Sequence, residues 1–161
     1  MNRKILFYCL ISIFSSSLWC QSRTSDLIKI SALKFDKERA AQLSKHQNEL
    51  PFRLEIDGIL RAKKGYQLLY KKASNQLQML PNSMVKVGMI APPSTEDVIT
   101  LPSGDRVFCV CDYPGACYFD NSGQPYKFVC TGEECCYIGV KFNMNKPPLE
   151  YETPGGRWFG F

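Results

Sequence analysis

Histidine occurs once in this chain of 161 residues, at His46, and that scarcity removes most of the proton-transfer chemistry that side chains perform near neutral pH. A Ser or Cys nucleophile has no evident histidine base to serve it. The sequence also lacks a G-x-S-x-G nucleophile elbow, an H-E-x-x-H run and a C-x-x-C pair, the usual marks of an α/β-hydrolase, a zinc protease and a thiol–disulfide oxidoreductase. His46 itself falls on a polar stretch and reads as a solvated surface residue. Internal repeats and low-complexity tracts are missing as well, which excludes solenoids and arrays. No enzymatic activity, cofactor or bound metal is therefore read from the sequence.

Long apolar runs are scarce. The longest, Ile5 to Trp19, holds about fifteen residues, short of the roughly 20 that a membrane helix needs. It follows the basic start Met1 to Lys4 and turns serine-rich before Cys20-Gln21-Ser22, the layout of a secretory signal peptide. Residues 1–21 are expected to be removed, and with them Cys9 and Cys20. Trp19 argues against a lipid anchor at Cys20, because processing favours small residues before the cut. The expected address is exported, periplasmic or extracellular, where disulfides form and persist.

What the chain does have is a cysteine cluster. Six of its eight cysteines, Cys109, Cys111, Cys117, Cys130, Cys135 and Cys136, fall in the order C-x-C, C, C, C-C, which predicts a disulfide framework. Neither close pair suits a local bridge. Bridged Cα atoms lie roughly 4.4 to 6.8 Å apart with aimed Cβ vectors, whereas adjacent residues sit about 3.8 Å apart across a trans peptide. If Val107 to Cys111 is a strand, Cys109 and Cys111 share one face. Six cysteines allow fifteen pairings, and these constraints remove only those with the two local bridges.

This order resembles that of the α-defensins, over about a sixth of the chain. The resemblance implies pairing of Cys109 with Cys136, Cys111 with Cys130 and Cys117 with Cys135. The segment is acidic, with Asp112, Asp120, Glu133 and Glu134 against Lys127, so the cationic membrane attack of that family is not carried over. The match is one of cysteine order, not of membership.

Residues 22–161 read as a single cysteine-rich α+β domain, with a candidate subdivision at Pro92-Pro93-Ser94 and a tail over 147–161. The expected fold is mainly antiparallel β-sheet with one N-terminal helix and a disulfide-stapled C-terminal half. Asp36 to Glu49 predicts the helix, with Asp36 as N-cap and Pro51 beyond its end. Ser25 to Phe35 fits either a strand or a lead into that helix. Hairpins are predicted from Phe52 to Ala62 around Asp57-Gly58, from Gly65 to Leu80 around Ala73-Ser74-Asn75, and from Val98 to Cys111 around Pro102-Ser103-Gly104. Tyr126 to Cys130 follows a turn at Asn121-Ser122-Gly123, and Tyr137 to Phe142 is expected to close the sheet. Met79, Met84 and Met89 are five apart, a spacing that fits neither a strand face nor a helix face, and read as core rather than as soft-metal ligands.

Charge is uneven. Residues 21–90 carry thirteen Lys/Arg against six Asp/Glu, and residues 91–161 carry five against nine. Arg61, Lys63, Lys64, Lys71 and Lys72 alternate with Tyr66 and Tyr70 in a pattern known from nucleic-acid surfaces, but export makes nucleic acid an unexpected partner. Lysines that guard a sheet edge are the simpler reading. Trp158, Phe159 and Phe161 at the tail are candidate anchors, either onto the domain itself or onto a partner. The expected function is an exported, disulfide-stabilised binding or structural module whose partner is another exported or envelope protein or an anionic surface. One alternative is an extracytoplasmic metal-binding protein using thiolates of Cys109, Cys111, Cys130, Cys135 and Cys136. The weaker alternative is a thiol redox protein.

Overall fold

Alternation and turn residues give the chain its strands, and burial on both faces of one sheet decides how they are ordered. The computed structural model describes residues 27–85, 98–111, 118–119, 128–131 and 136–161, with the backbone alone at Cys111, Tyr118 and Cys136. The expected signal peptide at residues 1–21, Cys117, Cys135, the Pro92-Pro93-Ser94 stretch and the turn expected at Asn121-Ser122-Gly123 lie outside the described residues.

In chain order the elements are β1 (Leu27–Ile30), β2 (Ala32–Lys34), α1 (Lys37–Ser44), β3 (Phe52–Leu54), β4 (Ile59–Ala62), β5 (Tyr66–Lys71), β6 (Gln76–Pro81), α2 (Asn82–Val85), β7 (Val98–Thr100), β8 (Arg106–Cys111), β9 (Tyr118–Phe119), β10 (Cys130–Thr131), β11 (Cys136–Lys141), β12 (Glu150–Glu152) and β13 (Trp158–Gly160). Among the described residues one sheet runs β1-β5-β6-β11-β8-β7, a second runs β13-β12-β2-β4-β3, and β9 and β10 pair as a third, two-stranded one. All pairings are antiparallel. The architecture is mainly β. The α+β expectation is corrected to that extent, since α1 is a helix of 8 residues and α2 one of 4.

The helix is shorter than its sequence predicts. Asp36 caps it as expected, its side chain accepting from the Arg39 N–H at 2.9 Å. After Ser44 the chain continues in turns, with His46 N–H donating to Leu43 O and Leu50 N–H to His46 O. Leu50, only 1% exposed, leaves the helix path to enter the core. Lys63 Nζ donates to Gln47 O and Leu50 O at 2.7 and 2.8 Å, supplying the donors that further helix would have supplied.

The ambiguous Ser25 to Phe35 stretch becomes two strands in two sheets. β1 pairs with β5 in the first sheet, β2 pairs with β4 and β12 in the second, and Ser31 between them donates its N–H to Glu152 O at 2.7 Å. The β5–β6 hairpin follows its expected bounds, closed by a 3-10 turn over Lys72–Ser74 and by Asn75 in the left-handed region. The β3–β4 and β7–β8 hairpins also stand where alternation and turn residues put them.

The strand from Cys136 to Lys141 does not close the sheet. It lies between β6 and β8 and joins the two hairpins. Burial explains this position. Val107 and Val140, fully buried, face a large core shared with Leu33, Phe52 and Leu60 of the second sheet and Leu43 of α1. On the other face of β11, Tyr137 packs against a smaller cluster of Phe108 and Val110 of β8 with Leu69, Leu80 and Met84. A strand apolar on both faces belongs inside a sheet, not at its rim. Met79 lies in the first cluster and Met84 in the second; Met89 is outside the described residues. Gly139 lies opposite Phe108, and a Cβ there would meet the Phe108 ring at 2.6 Å, so glycine makes room for the ring.

Candidate functional site

The tail folds back as a hairpin. β12 pairs with β2 on one side and with β13 on the other, which makes β13 an edge of the second sheet among the described residues. The turn between them is drawn in by Thr153 N–H donating to Arg157 O at 2.9 Å, and Gly156 takes a φ of 75° that favours glycine. Tyr151 and Phe159 are directly opposed across the ladder, and alternation puts Phe161 on the same side as Phe159.

That register builds an aromatic patch. Tyr151 and Phe159 stack with centroids 5.4 Å apart, and Phe161 meets Tyr151 edge-on at 5.0 Å. Tyr70, near the end of β5 in the first sheet, meets Phe161 edge-on at 5.1 Å and Tyr151 at 6.0 Å. Tyr70 and Tyr151 are half-buried against the main core, whereas Phe159 and Phe161 remain 44% and 38% exposed. The rings thus have a fixed base and an open rim. Separations of this size are those at which aromatic rings attract beyond their buried area. Tyr70 Oη also lies 3.1 Å from Asn75 Oδ1, which ties the ring to the β5–β6 turn.

The structure brings together three of the residues singled out from sequence, Tyr70, Phe159 and Phe161, and adds Tyr151, which the sequence reading passed over. Trp158 is 37% exposed but alternates onto the other face of β13, opposite Glu152. Tyr151 had a signal: it stands in the alternating run Glu150-Tyr151-Glu152 after Pro147-Pro148.

The basic residues do not gather. Arg61 Nη1 donates to Glu152 Oε2 at 2.9 Å and Nε to Glu55 Oε1 at 3.1 Å. The hydrogen bond to Glu152 raises the Arg61 pKa, burial opposes it, and the charges of Glu152 and Glu55 add to the rise. Lys63 is bound to the carbonyls after α1. Lys64 is exposed at one end of β5 and Lys71 and Lys72 at the other, roughly 20 Å away at about 3.3 Å per residue. Tyr66, at the Lys64 end, is half-buried, and burial raises its pKa while a hydrogen bond with the Ile138 backbone opposes the rise. Since β5 lies between β1 and β6, these lysines guard no edge, and the edge reading is corrected.

Cys109 is bonded to Cys130, with Cα atoms 5.7 Å apart. The resemblance-implied partners, Cys136 for Cys109 and Cys111 for Cys130, are overturned by this bond. Of the five cysteines of the metal alternative, Cys111, Cys135 and Cys136 stay outside it. His46 is half-buried rather than fully solvated, with its ring edge-on to Phe128 at 5.5 Å, and Phe128 in turn meets Phe119 at 6.3 Å. The single histidine holds the end of α1 against the cysteine segment.

Among the described residues no three His, Cys, Asp or Glu side chains converge as a metal-holding group, and no helix is long and apolar enough to cross a membrane. No protein-family model, curated protein or solved structure matches this chain.

Proposed function

We propose that the chain is an exported, disulfide-stabilised binding module whose contact surface is the aromatic patch of Tyr70, Tyr151, Phe159 and Phe161. The observation that carries this reading is the union of two features at one place. Large rings rooted in the core stay partly open to solvent, and the strand that bears Phe159 is an edge of its sheet among the described residues. An edge strand offers unpaired backbone groups to an incoming chain, and aromatic anchors beside it supply the affinity. The partner is a protein of the same exported compartment that presents an extended segment to β13. Export itself rests on the basic start, apolar run and serine-rich end of residues 1–21.

An anionic surface draws less support, because Lys64 stands far from Lys71 and Lys72, and Arg61 and Lys63 already have partners. The metal alternative loses Cys109 and Cys130 to their mutual bond.

Partner capture from an envelope or secreted extract, followed by cross-linking, compares the native chain with two variants. F159S/F161S removes the rim of the patch, and K64E/K71E/K72E reverses the exposed lysines. Loss of one captured protein in the first variant alone, at unchanged fold stability, supports the patch. Loss in the second alone, together with binding of the native chain to anionic vesicles, would replace this reading with the surface-charge one.

A further inference from the structure

We propose that Cys111 and Cys136 are joined by a second disulfide that crosses the β8·β11 ladder. Cys111 ends β8 and Cys136 begins β11, and the register sets them directly opposite each other. Two opposed residues in an antiparallel pair are either hydrogen-bonded to each other or not, and the side chains of the second kind lie closer.

Two hydrogen bonds outside this ladder decide which kind this is. Leu101 N–H donates to Asp105 O at 2.8 Å where the β7–β8 hairpin closes. Backbone groups along an antiparallel strand turn to alternate neighbours, so Asp105, Val107, Cys109 and Cys111 turn theirs to the β7 side, away from β11. On the other strand, Phe142 N–H donates to Leu77 O at 2.9 Å. By the same alternation Phe142, Val140, Ile138 and Cys136 turn their groups to the β6 side, away from β8. The two strands agree independently: Cys111 and Cys136 are a non-hydrogen-bonded pair. Cα atoms in such pairs lie about 4.5 Å apart, within the roughly 4.4 to 6.8 Å that a disulfide spans.

The surroundings favour oxidation. Cys109, two residues before Cys111 and on the same face by alternation, already carries a disulfide. That bond also occupies both partners that the cysteine order would have assigned to Cys111 and Cys136. An exported thiol oxidant bearing its own disulfide completes the chemistry. One thiolate of the pair attacks that disulfide and releases one oxidant thiol; the second thiolate attacks the protein sulfur of the mixed disulfide and releases the other. Two protein thiols lose two electrons and two protons, and the oxidant disulfide becomes two thiols. The bond would fasten the two strands at a pair with no hydrogen bonds between its residues, and it would withdraw Cys111 and Cys136 from any thiolate metal set.

The full chain is folded in a mixture of reduced and oxidised glutathione, alkylated under denaturing, non-reducing conditions, digested and mapped by mass spectrometry. Fragmentation between Cys109 and Cys111, and between Cys135 and Cys136, assigns each sulfur. The expected map links Cys111 to Cys136, alongside Cys109 to Cys130. A link from Cys111 or Cys136 to any other cysteine, or alkylation of either residue in the folded chain, overturns the proposal. As a second measurement, C111S/C136S keeps the Cys109–Cys130 link and shows no further thiol labelling relative to the native chain; a newly labelled cysteine in that variant would also overturn it. Neither readout involves a partner, so its failure is distinct from failure of the binding reading.

Discussion

Arg39 on α1 and Asp105 in the β7–β8 turn, 66 residues apart in sequence, form a buried ion pair in which Arg39 Nη2 donates to Asp105 Oδ1. Asp105 is fully buried, and it also accepts from Ser103 Oγ at 2.6 Å and from the Asn143 N–H at 2.8 Å. Arg39 Nη1 donates to Lys146 O, and the guanidinium lies 4.6 Å from the Phe35 ring centroid. One carboxylate thus fastens the helix, the hairpin turn and the chain after β11 to one another.

Removing one partner of this pair is expected to be costly. Asp105→Ala leaves a buried guanidinium without its counter-charge and the Asn143 N–H without its acceptor, a loss of about 3–5 kcal/mol. Urea unfolding of the variant and the native chain reads the difference. The paired change R39M/D105L leaves no unpaired charge and is expected to cost less than either single change. A cost for Asp105→Ala below about 1 kcal/mol would mean that the pair is not buried in solution as described.

The hairpins were legible in the sequence because period-two alternation and turn residues are local signals. Gln76 to Leu80 with Asn75 before it, and Val98 to Cys111 around Pro102-Ser103-Gly104, announce themselves without knowledge of the rest of the fold. The place of β11 was not legible, because insertion between β6 and β8 depends on burial of both faces by residues far away in the chain. Helix length depends on the same distant burial: propensity continues to Glu49, but Leu50 is drawn into the core. Arg39 carried a faint signal, since it stands four residues before Leu43 on the inward stripe of α1, where a charge requires a buried partner. Nothing local points to Asp105 as that partner. The cysteine order likewise could not give the Cys109–Cys130 bond, which depends on where β10 lies relative to β8.

Gly139→Ala tests the packing between β11 and β8. The added Cβ would lie 2.6 Å from the Phe108 ring, and the ring is fully buried, so it has little room to retreat. The expected loss is about 1–3 kcal/mol. Phe108→Leu in the same chain should cost less in the Gly139→Ala background than in the native one, which a double-mutant cycle measures. Additive losses would show that the glycine is not there to admit the ring.

The Cys109–Cys130 bond closes a separation of 21 residues. In the chain-entropy account such a loop contributes about 3 kcal/mol by restricting the unfolded state. The variant C109A/C130A keeps an apolar side chain in the core at Cys109 and should lose about that much in denaturant unfolding. A loss near zero would indicate that the segment between β8 and β10 is held by its packing, with Phe119 and Phe128 fastening it instead.

Tyr66 gives the chain an alkaline weakness whose sign can be worked out. Burial raises its phenol pKa above the ordinary 10.0, the hydrogen bond with the Ile138 backbone pulls it partly back, and Tyr137 adds to the rise. Below pH 10.0 the phenol is neutral in both folded and unfolded chains, and its contribution to stability is fully present. As pH rises from there through the folded value, the unfolded chain loses the proton first, the folded chain binds more protons, and stability falls. Tyr66→Phe abolishes that titration but deprives the Ile138 N–H of its acceptor, at about 1–3 kcal/mol near neutral pH. The variant should therefore start less stable than the native chain, and the gap should narrow as pH rises past about 10. Urea midpoints of both chains across that range measure the gap; a constant gap would mean that Tyr66 ionises as readily in the folded protein as in the unfolded chain, and a widening gap that it ionises more readily there.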